Sequence, residues 1–289
     1  MKNLFKTSID LIKYNSIFVQ PIILLFIVLS FANGFILRVR GLTIPFFALT
    51  LSVILLTIAV QAGWFYINSL AVKCADKEYY DKQARFVEVN QTFGKFFVGV
   101  GETFLKTLIL DIIIFAAFVG VCYLVFRYGV HHVGSPSVLF SMFNEVNSNP
   151  TQDMMALAQK YYSPENTKIL LYWLGASWAV TNIFSFIFVL YNGIMQLDKI
   201  NPFIALWRMI KFSFKKFFPL LFLFIIVSLF NVVLNVITAI SSINILLSAL
   251  ALLFMFLYVN FIVFLILLFY EQSKPKDNSD CGTKFDREV

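Results

Sequence analysis

Long apolar blocks separated by short basic ones set the pattern of this chain, and each apolar block is about the length of a bilayer crossing. Predominantly apolar runs cover about residues 16–37, 43–70, 104–126, 169–195, 218–239 and 243–270. A helix needs about 20 such residues to cross a hydrocarbon core roughly 30 Å thick. The pattern therefore predicts an all-α membrane protein with six transmembrane helices, arranged as three hairpins.

The segments before the odd-numbered spans follow a different rule. In 2–14, Lys2, Lys6, Asp10 and Lys13 fall on one helical side and Phe5, Ile9 and Ile12 on the other. Spacing of three and four marks an amphipathic helix lying in the membrane interface. Residues 81–102 repeat the layout, with Phe86, Val89, Phe93, Phe96 and Val100 opposite Arg85, Glu88 and Lys95. Gly94, Gly99 and Gly101 predict a break there. Asn201-Pro202 opens a third such helix, an N-cap followed by proline at the first helical position. On it Arg208, Lys211 and Lys215 oppose Phe203, Trp207, Ile210 and Phe214, so these three cations are the expected lipid-surface contacts.

The first and third of these units are related. Shifted by 198, Asn3, Phe5, Ile12, Lys13, Pro21, Leu25, Phe26, Ile27, Ser30 and Asn33 meet the same residue types at Asn201, Phe203, Ile210, Lys211, Pro219, Leu223, Phe224, Ile225, Ser228 and Asn231, ten identities in 31 positions. The middle hairpin shares the layout but little sequence. Because every unit opens on the same side, the repeats are parallel, unlike the inverted repeats of many transporters.

Composition agrees with this reading. The 289 residues are 60% hydrophobic and 13% charged, where soluble domains carry roughly 25% charge. Residues 1–270 are thus expected to form one polytopic membrane domain, with a helical extracytoplasmic excursion over 128–168 and a disordered cytoplasmic tail over 271–289. Within the excursion, Ser135-Pro136 and Ser163-Pro164 read as helix starts, and Thr151 caps a further helix at 152–161. Lys and Arg number 3, 6, 5 and 4 in one set of alternate connections and 2, 3 and 0 in the other. The positive-inside rule then puts both termini in the cytoplasm and the protein in the cell membrane. The net charge of +7 sits beside apolar spans, so anionic lipid head groups, and not nucleic acid, are the expected partner, with a membrane or cytoplasmic protein a further one. Cys74, Cys122 and Cys281 show no CxxC spacing, and no disulfide framework is expected.

Candidate chemistry is sparse. Asp111 is the one acid inside an apolar run, and an intramembrane carboxylate is a default functional candidate. Against that, it stands shortly after Lys106, which predicts an interfacial position and a basic partner. Amides are scattered through the spans, among them Gln61, Asn182, Asn192, Asn231, Asn235 and Asn260. They either line a polar path or bond helix to helix. The candidate intramembrane polar site is therefore Asp111, Asn231, Asn235, Gln61 and Asn260. His131-His132 lacks further ligands at recognisable spacing, so solvated or interfacial histidines are expected and no metal or cofactor. No GxxxxGK[ST], HExxH or GxSxG occurs, and the chain is expected not to be an enzyme.

The phrase TSIDLIKYNSIFVQPIILL, echoed by LWRMIKFSFKKFFPLL, resembles the opening of prokaryotic six-helix membrane proteins of unknown function. That set is similar to the membrane domain accompanying some glycerophosphodiester phosphodiesterases. The chain has no phosphodiesterase domain, so the resemblance implies the membrane fold and supplies no catalytic residues. The expected function is a non-enzymatic scaffold or regulator of a membrane process. The alternative is a permease or transporter membrane subunit for a small or lipid-like substrate. A carrier requires a mid-membrane cavity lined by Asp111 and several amides; a scaffold requires a dry bundle with those amides bonded between helices.

Overall fold

The computed structural model describes residues 2–38, 43–73, 91–148, 163–241 and 244–274. They are helical almost throughout. Helix α1 (Lys2–Tyr14) is followed by a 3-10 turn (Ser16–Val19) and α2 (Gln20–Arg38), then α3 (Thr43–Lys73), α4 (Phe96–His132) and α5 (Ser137–Ser148). The chain continues through α6 (Pro164–Asp198), α7 (Pro202–Lys215), α8 (Phe217–Ser241) and α9 (Ile245–Ser273). Six helices are long and apolar enough to cross a membrane: Ser16–Ile36, Thr43–Lys73, Phe96–His132, Pro164–Asp198, Phe217–Thr238 and Leu246–Ser273. This is an integral membrane protein.

Three crossing helices form the centre. α3, α6 and α9 each pack against the other two, while α2 lies on α3, α4 on α3 and α6, and α8 on α9. The buried stretches are concentrated near one end of the inner trio. Ala62–Ser69, Leu190–Leu197 and Val263–Leu268 are buried without interruption. The short helices α1 and α7 pack at that same end, α1 on α9 and α7 on α6, and we call it the collar end.

The two segments aligned by the shift of 198 share a local layout. Each begins with a short helix, breaks, and continues into a long apolar one. The break residues match in backbone, Asn15 at φ −117°, ψ 31° and Lys216 at φ −116°, ψ 30°. The first break is longer because the 3-10 turn follows it. Phe18 is fully buried in that turn, and its carbonyl accepts a 3.0 Å bond from the Trp64 indole. The α6–α7 connection is pinned comparably, the Tyr191 hydroxyl donating to the Pro202 carbonyl at 2.7 Å. Asn201 caps α7 as its spacing predicts, accepting from the Ile204 N–H at 2.9 Å.

Several boundaries differ from the sequence pattern. The docked face of α1 is Leu4, Ser8 and Leu11, all at most 4% exposed, and Ile9 of the expected apolar side is 58% exposed. A helix packed on α9 offers one face to protein and leaves the other exposed, so its apolar residues divide between two surfaces. Of the expected surface helix at 81–102, residues 81–90 lie outside the described residues, and a turn at Lys95 precedes α4. The third crossing helix therefore begins at Phe96 and runs unbroken through Gly99 and Gly101.

The reason is packing. A Cβ on Gly99 would fall 2.5 Å from Tyr66 Cβ, and one on Gly63 would fall 2.9 Å from the Phe96 carbonyl oxygen. Small residues let backbones approach closely where lipid supplies no hydrophobic drive to associate.

At the far end α4 and α6 outrun the hydrocarbon core, since 37 and 35 residues extend about 50–55 Å. Their tips are joined by bonds from Tyr172 hydroxyl to the Val125 carbonyl (3.2 Å) and from Trp173 indole to the Gly134 carbonyl (3.1 Å). Ser163 caps α6, accepting from the Asn166 N–H at 3.1 Å, and α5 packs on α6. The expected helix at 152–161, Cys74, Cys281 and residues 275–289 of the tail lie outside the described residues.

The α3–α4 contact yields a direct test. Gly63→Ala and Gly99→Ala are each expected to destabilise by about 1–3 kcal/mol through overpacking. Gly120→Ala and Gly175→Ala, where an added methyl meets nothing within 4 Å, should be neutral or slightly stabilising. Thermal unfolding of the four variants in one detergent makes the comparison.

Candidate functional site

The polar residues picked out along the chain do not converge; the fold distributes them over three places. The first is Asp111 on α4, whose carboxylate accepts a 2.9 Å bond from the Gln61 amide of α3. Its partner is thus a neutral amide and not a basic neighbour. Fifteen residues of α4, about 22 Å along the helix axis, precede Asp111. A helix that begins at Phe96 and packs on α3 sets Asp111 beside Gln61.

The second place is the buried layer of the inner trio. Asn68, Asn192 and Asn260 are fully buried there. Asn68 and Asn192 donate to carbonyls one turn earlier on their own helices, Trp64 (2.8 Å) and Phe188 (3.1 Å). Neither side-chain amide atom of Asn260 has a partner among the described residues.

The third is a groove of about 440 Å³ between α6, α8 and α9. Asn182, Asn231 and Asn235 line it with Ser177, Thr181, Ser185, Thr238 and Tyr258. Asn231 donates to the Asn182 carbonyl oxygen at 2.7 Å, bridging α8 to α6, and Asn182 donates to the Trp178 carbonyl at 2.8 Å. Asn231 and Asn235, one turn apart, do share this site; Asp111, Gln61 and Asn260 do not line it. Asn182 stands 16 residues from the collar end of α6, about 24 Å into the bundle. Among the described residues Asp111 and this groove are separate.

A fourth feature was not singled out in the sequence. Asp198 ends α6 with its side chain only 8% exposed, and three groups converge on it: Arg208 at 2.7 Å, Lys274 at 2.6 Å and the Tyr270 hydroxyl at 2.7 Å. Lys274 also meets Glu271 at 2.6 Å and lies over the Tyr270 ring, 4.7 Å from its centre. The node ties α6, α7 and the end of α9 together. A left-handed Lys199 (φ 51°) turns the chain immediately afterwards, which swings α7 back and brings Arg208 over the carboxylate. That hydrogen bond to Asp198 holds the Arg208 guanidinium above its ordinary value. Arg208 is thus half exposed and tied to the bundle through Asp198, whereas Lys211 and Lys215 are exposed. A signal was present in the sequence: an acid at the end of an apolar span, next to a basic helix and, 76 positions later, a basic tail.

His131 and His132 are exposed at the far end, their rings stacked with centres 4.7 Å apart. Among the described residues no cluster of three or more His, Cys, Asp or Glu side chains is arranged to hold a metal ion. No protein-family model matches the chain, and no curated protein or solved structure matches it.

The node predicts a non-additive pair of substitutions. Arg208→Gln or Lys274→Gln alone leaves Asp198 one cation and should cost about 1 kcal/mol or less. Together they strand a buried carboxylate, and the loss should reach roughly 3–5 kcal/mol. A double-mutant cycle read by thermal unfolding measures the difference.

Proposed function

We propose that this chain is a non-enzymatic membrane protein that scaffolds or regulates a process at the cell membrane, gripping anionic lipid through its collar. The supporting observation is the three-sided surface of α7. Pro202, Ala205 and Met209 are buried against the bundle. Phe203, Trp207 and Phe214 are 66%, 68% and 81% exposed, a face that suits acyl chains. Lys211 and Lys215 are exposed beside them, placed for phosphate-bearing head groups. Lys6 and Lys13 are exposed on α1 in the same way. The charge asymmetry of the connections supports a cytoplasmic collar, with both termini on that side.

In this reading the molecule is built from three units, each entered through a surface helix. α1 lies on the inner helix of the third unit and α7 on that of the second, so the collar stitches units to one another. Such cross-bracing supports a rigid platform for a membrane or cytoplasmic protein. The resemblance to six-helix membrane domains near glycerophosphodiester phosphodiesterases supports the same membrane role without an activity.

A permease or transporter subunit for a small or lipid-like substrate is the second reading, favoured by the groove at mid-depth. Against it stands the unbroken burial of the inner trio at the collar end, together with the pairing of Asp111 to Gln61.

Lipid retention tests the proposal. In nanodiscs of equal phosphatidylglycerol and phosphatidylcholine, the protein should retain the anionic lipid preferentially after delipidation. Lys211→Gln with Lys215→Gln should cut that preference by about fivefold per lysine. Equal retention of both lipids by the unaltered protein would contradict the reading.

A further inference from the structure

Three hydroxyls of the mid-depth groove stand in a row on α6 without a partner among the described residues, whereas the unbonded hydroxyls of Thr107 and Ser228 are single and buried. In membrane helices Ser and Thr commonly bond back to the carbonyl four residues earlier. Ser30, Thr50, Ser52, Thr57 and Thr103 all do so, at 2.7–2.8 Å. Ser177, Thr181 and Ser185 do not, and they make no side-chain hydrogen bond among the described residues. Spaced four apart on α6, they form one exposed stripe along the groove. Asn235, across from them on α8, is exposed and likewise unbonded. Polar groups at this depth that face hydrocarbon are costly.

We propose that this groove binds the uncharged glycerol-ester head of a neutral lipid, entering sideways from the bilayer. The volume of about 440 Å³ falls within the range of small-molecule sites. The lining offers hydroxyl donors and amide donors and acceptors but no Asp, Glu, Lys or Arg. A phosphate or ammonium head would therefore lie without a counter-charge in a low-dielectric site, which selects an uncharged ligand. Leu234, Met255 and Val259 supply apolar wall for the first acyl carbons. On the collar side of the groove the stretches Leu190–Leu197 of α6 and Val263–Leu268 of α9 are buried. The proposal goes beyond both readings above, since it concerns binding and holds whether or not anything is carried across the membrane.

Photolabelling of the full chain in phosphatidylcholine nanodiscs tests it. One preparation contains a photoactivatable diacylglycerol and the other a photoactivatable phosphatidylglycerol at equal fraction, and labelled peptides are mapped. The diacylglycerol label should concentrate in 177–185 and 255–259, and excess dioleoylglycerol should displace it. Thr181→Leu and Asn235→Leu should each lower it about fivefold, the loss of one hydrogen bond. Ser52→Ala, which alters an exposed hydroxyl elsewhere, should leave it unchanged. Elution volume and melting temperature confirm that each variant is folded. The proposal is overturned by label spread evenly over the lipid-facing helices, or by equal labelling with the charged probe. Displacement by free glycerol but not by dioleoylglycerol, or labelling that both leucine variants leave intact, would overturn it too.

Discussion

Close helix-to-helix contact in a solvent that gives no reward for burying apolar side chains is the constraint under which this molecule is built. Lipid tails are as apolar as Leu, so packing and polar bonds must hold the spans together. The inner trio answers with continuous burial at one end and with glycines where backbones meet. Gly63 and Gly99 bring α3 and α4 together so closely that a methyl has no room. Exposed residues such as Ile44 and Phe31, 83% and 69% accessible, are then the ordinary outer surface of a bundle surrounded by acyl chains.

That constraint also explains how polar groups are distributed. Within the spans a polar group without a partner is costly, because water is absent. Most of those described are paired, while Asn260, Thr107 and Ser228 are not. Gln61–Asp111 and Asn231–Asn182 satisfy one another between helices. Asn68 and Asn192 turn to their own backbones. Asp198 gathers cations at the collar end, where a buried carboxylate is held by two of them and a tyrosine hydroxyl. Only along the groove does a run of hydroxyls stay uncommitted.

Legibility in the sequence followed the strength of each physical signal. Six apolar blocks were plain, because the hydrocarbon thickness fixes their length. The N-caps at Asn201 and Ser163 were equally plain, since an acceptor followed by proline has one geometric use. Where α4 begins was not, because Gly99 weakens a helix by propensity and only the Tyr66 side chain beside it explains its presence. The docking face of α1 was not legible for a related reason. One amphipathic pattern cannot say which apolar residues meet protein and which meet lipid. The polar residues of the spans can be named one by one, but which of them meet depends on helix neighbours that spacing along a single helix does not encode. Asn231 and Asn235 came together because they lie on one helix face; Asp111 went to Gln61 across 50 positions of chain.

The same-sided collar is the claim on which the rest stands, and sidedness of labelling tests it most directly. Single cysteines at Lys6, Lys215 and Ser137, in a background lacking the three native cysteines, would be probed with a membrane-impermeant maleimide in sealed vesicles of known orientation. Positions 6 and 215 should react from one face and 137 from the other. Reaction of 6 and 215 from opposite faces would contradict the account.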